Sequence, residues 1–203
     1  MNSTGMPAEQ LFELQEKIID YKDLLMTPTL VTTASLALVL NGCRTIETVN
    51  GVNQIVAGRT GDLLDGFLAR MLDQSSDIGA FADTAADKIG MAAIIGSAWH
   101  KKAMPRPVLA TIGAKQIINP SLAIAYAHRH PTATFRPVKT GKLAMGADTL
   151  AAAGYLYANA FEREYPEESI HHAFRALGDI AFKAGVGLSI PATIQYADRA
   201  IRG

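Results

Sequence analysis

The chain contains a single cysteine, Cys43, so no internal disulfide can form and no zinc cluster can be built on cysteine thiolates. A lone cysteine of this kind reads as a small buried apolar side chain. Net charge is missing too: 19 basic residues meet 19 acidic ones over 203 positions, so nothing points to nucleic acid as a partner. Residues 1–21 are polar and carry no apolar core segment, so no secretory signal peptide is expected there. No repeat, low-complexity tract or flexible linker divides the chain, and 49% hydrophobic residues suffice for one sizeable core. Long apolar runs are also scarce. No stretch stays free of polar groups for the ~20 residues that a simple transmembrane helix needs, and the mean hydropathy of +0.13 is modest. A helix in a membrane bundle faces lipid on one side only, however, and polar residues on its inner side are tolerated and mark functional paths. Hydropathy alone leaves the membrane question open.

What the chain does have is an unusual run from Asp62 to Asp87, DLLDGFLARMLDQSSDIGAFADTAAD, in which four carboxylates recur at helical spacing in apolar surroundings. Asp62 and Asp65 are i,i+3 neighbours and Asp83 and Asp87 are i,i+4 neighbours, so each pair converges on one face of a helix. Residues 71–76 read as a turn, with Ser75 or Ser76 capping the second helix and Asp77 in its first turn. Two antiparallel helices joined this way bring the pairs together. Four close carboxylates repel one another unless cations lie among them, and an all-oxygen set suits hard ions such as Mg2+ or Mn2+. Gly66 and Gly79 lie one turn from Asp62 and Asp83 on the carboxylate faces, where the lost side chain lets a ligand approach the backbone. Arg70 can give a forked pair of hydrogen bonds to a phosphate. Cations, an arginine and a bare helix surface together describe a diphosphate site.

Asp62, Asp65, Gly66, Ala69, Arg70, Gly79, Asp83 and Asp87 resemble the signature D-x2-D-G-x2-A-R-x8-G-x3-D-x3-D of the CDP-alcohol phosphatidyltransferases, with every fixed position present. Taken singly, an Asp pair on a helix is an ordinary solvated face; eight fixed residues at fixed spacing are not. The resemblance implies transfer of a phosphatidyl group from CDP-diacylglycerol to an alcohol, with release of CMP. It implies that Asp62, Asp65, Asp83 and Asp87 hold two Mg2+ or Mn2+ ions and that Asp87 is the general base. Gly66, Ala69, Arg70, Ser76 and Gly79 would contact the nucleotide and diphosphate. Thr27 to Thr32, TPTLVT, is similar to the family's T-P-N-x-x-T opening, which makes Thr29 and Thr32 candidates for the cytidine. Ala86-Asp87-Lys88 and the Gly141-Lys142 pair in VKTGKLAM resemble the phosphatidylglycerophosphate synthases among them, with Met145 where a threonine is usual.

Along the chain, Leu11, Leu14, Ile18, Tyr21 and Leu25 predict an amphipathic helix within residues 1–26, which fits either the membrane interface or packing on a soluble core; the resemblance favours the interface. Helices are then expected over 27–43, 45–70, 77–99, 107–127, 143–160 and 173–196. Asn50, Asn53 and Arg59 make the second of these polar and require interior partners or a water-accessible surface. Lys115, isolated among apolar residues, reads equally as a phosphate ligand or as a snorkelling lysine. Residues 128–142 form a basic stretch that fits either a cytoplasmic loop or a rim where Arg136, Lys139 and Lys142 receive a phosphorylated acceptor. His171 and His172 point different ways on a helix and read as solvated.

The expected fold is therefore all-α, an integral membrane bundle of about six transmembrane helices over 27–203 after the interfacial helix. The resemblance places it in the cell membrane as a multi-pass homodimer with its site facing the cytoplasm. Glycerol 3-phosphate is the expected acceptor, with inositol phosphate or another alcohol as the alternative. A divalent-cation transporter or a membrane scaffold would also gather carboxylates, but neither needs Gly66, Arg70 and Gly79 at those offsets.

Overall fold

The computed structural model describes the backbone of residues 27–71, 77–129 and 138–202; the side chains of 27–29, 62–71, 77–84, 123, 127, 199–200 and 202 lie outside that description. The amphipathic helix expected within 1–26 also falls outside it. Among the described residues every regular element is helical: α1 (Thr27–Arg44), α2 (Val49–Met71), α3 (Asp77–Lys101), α4 (Arg106–Arg129), α5 (Lys139–Glu164) and α6 (Ile170–Arg202).

Local chemistry sets the helix ends. Thr48 caps α2: its hydroxyl accepts from the Gly51 N–H at 3.0 Å and donates to the Thr45 carbonyl at 2.8 Å. That turn holds residues 45–48 out of α2, which starts later than the sequence pattern suggests. At the end of α3, Lys102 adopts a left-handed φ of 54°. The Ala103 N–H returns to the Ala98 carbonyl at 2.9 Å and the Lys102 N–H to Trp99 at 3.4 Å, the paired bonds that close a helix C-terminus. Pro105 and Pro107 then flank the first residue of α4, where missing N–H groups cost nothing. The basic stretch 128–142 is less of a loop than expected. α4 runs to Arg129, and α5 begins at Lys139 because the Lys142 N–H closes a first helical turn on the Val138 carbonyl at 3.2 Å. Lys139 and Lys142 are thus helical residues.

The short links 45–48, 102–105 and 165–169 reverse the chain each time, so α1–α2, α3–α4 and α5–α6 are antiparallel pairs. α5 packs along α6 and α1 along α2; α3 lies against α1, and α4 bridges to α6. The α5–α6 contact depends on two glycines: a Cβ on Gly154 would come within 2.8 Å of the Gly178 nitrogen and 2.9 Å of the Phe174 carbonyl. Close backbone approach of this kind suits helices that pack where lipid removes the hydrophobic drive.

The main apolar core gathers at one end of the bundle. Val39, Cys43 and Ile46 meet Val52 and Ile55, then Ile94 and Ala98, then Met104, Val108, Leu109 and Ile112, then Tyr155, Leu156 and Ala160, with Ala181 from α6. The same end carries a charge clamp. Glu47, in the α1–α2 turn, accepts from Lys101 at 2.9 Å and from Arg163, which also donates to the Lys101 carbonyl at 3.3 Å. The Lys101 hydrogen bond, with the charges of Arg163 and Lys101, holds the Glu47 carboxyl below its ordinary range.

Among the described residues two helices, α4 over Arg106–Tyr126 and α6 over Ile170–Asp198, are long and apolar enough to cross a membrane; Leu30–Arg44 is a shorter apolar helix. Only 18% and 28% of the two longer windows is buried. Most of each window therefore lies at the surface of the fold, where Ile117 and Ile180 stand 70% and 67% exposed.

Because the Glu47 carboxyl is easier to ionise in the fold than in the unfolded chain, its contribution is present above the ordinary carboxylate range and fades as pH falls through the lowered value. Glu47→Gln should therefore lower Tm by a few degrees at pH 7, the scale of about 1 kcal/mol for partly exposed ion pairs. Parent and variant should converge in thermal melts near pH 3; a gap that persists there would mean the clamp is not ionic.

Candidate active site

The opposite end of the bundle gathers the polar residues. α2 arrives there with Asp62, Asp65, Gly66, Ala69 and Arg70, and α3 leaves it with Gly79, Asp83 and Asp87. The helix ends at Met71 and Asp77 leave room for the expected turn, although Ser75 and Ser76 lie outside the described residues. Of the motif side chains only Asp87 is described. Its Oδ1 pairs with Arg59 Nη2 at 2.8 Å, and both side chains are mostly buried. Arg59 precedes Asp62 by three residues on the same face of α2, so the pair ties that face to α3. This is the partner that the polar second helix required. Asn53 has one as well, accepting from the Tyr157 hydroxyl at 2.7 Å, while Asn50 is exposed.

α1 is held close by a missing side chain. A Cβ on Gly58 would lie 2.5 Å from the Ser35 carbonyl, so α1 and α2 cross there in near backbone contact. Thr32, one turn before Ser35, is buried. The antiparallel run puts it level with the aspartate-bearing turns of α2. Thr29 lies a further turn back, with its side chain outside the description.

Asp87 connects to a second feature through its neighbour. Lys88 Nζ lies 3.4 Å from Asp87 Oδ2 and 3.3 Å from Gln116 Oε1 on α4. There it lines a cavity of about 380 Å³ between α3, α4, α5 and α6, together with Lys115, Gln116, Asn119, Lys142, Asp148, Ser189 and Tyr196. Three lysines and one aspartate make its wall cationic. Lys115 is not a free ligand: its ammonium donates to both oxygens of Asp148, at 2.8 and 3.0 Å, with both side chains largely buried. Gly185 makes room for that carboxylate, since a Cβ there would fall 2.5 Å from Asp148 Oδ1. Tyr196 closes the floor, accepting from the Val138 N–H at 3.2 Å and packing with Val138, Ala192 and Leu122.

Of the three basic residues expected at an acceptor rim, Lys142 lines this cavity, Lys139 is exposed and outside its lining, and Arg136 lies beyond the described residues. His171 and His172 sit at the other end, with the His171 ring on the Glu168 carbonyl at 2.6 Å. Asp148, Asn119, Gln116 and Tyr196 were missed in the sequence. A signal existed for the first, because Asp148 is the lone acid between Lys142 and Glu162.

The model of the family described as CDP-alcohol phosphatidyltransferase matches residues 25–189. The chain belongs to that family. No curated protein and no solved structure matches it. The transferase accordingly works in phospholipid synthesis, moving a phosphatidyl group from a CDP-alcohol, and the family together with the exposed apolar helices points to a membrane protein. Members of the family are generally dependent on divalent metal. Among the described residues no group of three or more His, Cys, Asp or Glu converges on a point; three of the four motif aspartates carry side chains outside that set. The donor chemistry fits a hard cation nonetheless, because every candidate ligand in the motif is a carboxylate and the Asp87 carboxylate already binds a cationic partner.

Breaking the Lys115–Asp148 pair from one side should strand a mostly buried charge. Asp148→Ala is expected to cost about 2 to 4 kcal/mol, while Lys115→Met combined with Asp148→Leu recovers most of that loss. Thermal denaturation of the three proteins in detergent checks this; equal loss in the single and double variants would contradict it.

Proposed function

We propose that the transferase moves the phosphatidyl group of CDP-diacylglycerol onto a phosphorylated alcohol, with glycerol 3-phosphate as the acceptor and CMP as the leaving product; inositol phosphate is the alternative. The observation that carries this reading is the lysine-lined cavity that Lys88 joins to Asp87. A phosphorylated acceptor needs cationic donors that a plain alcohol does not, and Lys142 and Lys88 are positioned to supply them within reach of a carboxylate. The resemblance to phosphatidylglycerophosphate synthases at Ala86-Asp87-Lys88 and Gly141-Lys142 favours glycerol 3-phosphate over inositol phosphate.

In this reading the acceptor oxygen attacks the phosphatidyl phosphorus, the bond from that phosphorus to the CMP oxygen breaks, and the acceptor proton passes to Asp87. Arg59 orients the Asp87 carboxylate through its ion pair. Asp62, Asp65, Asp83 and Asp87 are the residues that would hold two Mg2+ or Mn2+ ions. When bound, those ions offset charge on the diphosphate and on the leaving oxygen. Thr29, Thr32, Gly66, Ala69, Arg70, Ser76 and Gly79 are assigned to the nucleotide and diphosphate by resemblance. So are the six-span topology, the homodimer and the cytoplasmic orientation of the site. Exposed isoleucines on α4 and α6 support a lipid-facing surface, along which a lipid donor reaches a water-filled acceptor pocket.

Asp87→Asn should lower CMP release by several orders of magnitude, and Asp62→Asn, Asp65→Asn or Asp83→Asn should each abolish its dependence on added Mg2+ or Mn2+ together with most turnover. Full activity in EDTA would refute the metal assignment, and near-parent turnover in Asp87→Asn would refute the base.

Lys142→Ala should raise the KM for the phosphorylated acceptor roughly tenfold or more, the scale of one charge-assisted hydrogen bond of about 1.5 to 3 kcal/mol. The KM for CDP-diacylglycerol should move much less. A panel of glycerol 3-phosphate, glycerol and inositol phosphate against one CDP-lipid decides the acceptor; equal use of glycerol and glycerol 3-phosphate would end the phosphate-pocket reading.

A further inference from the structure

One cavity residue has no part in the chemistry above. Asn119 lies one turn beyond Lys115 on α4, lines the cavity, and holds its amide oxygen buried with no hydrogen-bond partner among the described residues. Native interiors seldom leave such an oxygen without a donor, and a bound group is one thing that can supply it. The following residue, Pro120, has no N–H to return to the Gln116 carbonyl, so the same turn of α4 also lacks one of its own backbone donors.

The two sides of the cavity therefore ask for different chemistry. Lys88 and Lys142 favour an anion, whereas Asn119 offers a neutral acceptor that calls for an O–H or N–H donor. An ammonium would satisfy Asn119, but it would have to sit beside lysines of its own sign, which disfavours amino alcohols. A hydroxyl meets both conditions. Resting on the reading that the acceptor occupies this cavity, we propose that Asn119 accepts a hydrogen bond from a second, non-reacting hydroxyl of the acceptor, and so selects phosphorylated polyols over phosphorylated mono-alcohols and amino alcohols.

The test compares kcat/KM for glycerol 3-phosphate and for 3-hydroxypropyl phosphate, which keeps the reacting hydroxyl and the phosphate but lacks the middle hydroxyl. Where inositol phosphate proves the better acceptor, its singly deoxygenated analogues take that place. CMP release from CDP-diacylglycerol is the readout, with full-length protein in detergent micelles. The parent should prefer the polyol by at least about tenfold, because a site built to bond a hydroxyl rejects the analogue without it. Asn119→Leu, similar in shape but unable to accept, should bring that ratio to about one, and Asn119→Ser, which keeps an acceptor, should retain part of it. The serine variant also serves where thermal melts show that the leucine variant fails to fold.

A parent protein that uses both substrates equally overturns the proposal, as does an Asn119→Leu variant that slows both by the same factor. Lys142→Ala separates the two levels. If it raises the KM of both acceptors while Asn119→Leu leaves their ratio unchanged, the acceptor pocket stands and the hydroxyl selection falls. If it leaves both KM values unchanged, the acceptor pocket falls as well.

Discussion

The links that join α1 to α2, α3 to α4 and α5 to α6 are only four or five residues long. Links so short force each pair to run antiparallel, because a parallel return would have to span the full length of a helix. Much else depends on that reversal. It brings the end of α2 and the start of α3 to the same end of the bundle, where the motif aspartates lie. The end of α4, the start of α5 and the end of α6 arrive there too, carrying the walls of the cavity.

The two ends then obey different physics. At the end holding Glu47, apolar side chains from all six helices close on one another and the carboxylate is tied to Lys101 and Arg163. The end holding Asp87 is built from ion pairs around a hollow: Arg59 with Asp87, Lys115 with Asp148, Lys88 between Asp87 and Gln116. Close packing at both ends would leave no cavity, and a hollow at both would leave little apolar burial to oppose the entropy of ordering the chain.

The apolar surface is arranged to match. Isoleucines on α4 and α6 project outward while Lys115, Asn119, Asp148 and Ser189 on α4, α5 and α6 face inward. That arrangement keeps the mean hydropathy modest although α4 and α6 present apolar faces outward. Most of the polar residues lie on the interior at modest desolvation cost, because Lys115 and Asp148 pair with each other and the Ser189 hydroxyl donates to the Gly185 carbonyl; the Asn119 amide oxygen is the exception among these four.

By itself the sequence determined the helical class, the six helices found among the described residues and the aspartate motif, all of which are local. Apolar periodicity, capping residues and i,i+3 or i,i+4 spacing act within a few residues and so can be read along the chain. Helix ends were less legible. The Thr48 cap shortened α2, and the Lys142 bond to Val138 drew two expected loop lysines into α5. The cavity was decided only by tertiary structure. Lys88, Lys115, Lys142, Asp148 and Tyr196 come from four helices, and their pairing depends on how deeply those helices approach one another. Gly185, where a side chain would displace Asp148, and Gly141, where one would displace the Tyr196 hydroxyl, set that depth. A glycine in sequence is silent about which helix it admits; the answer needs the partner helix in place, since the contact it permits lies tens of residues away along the chain.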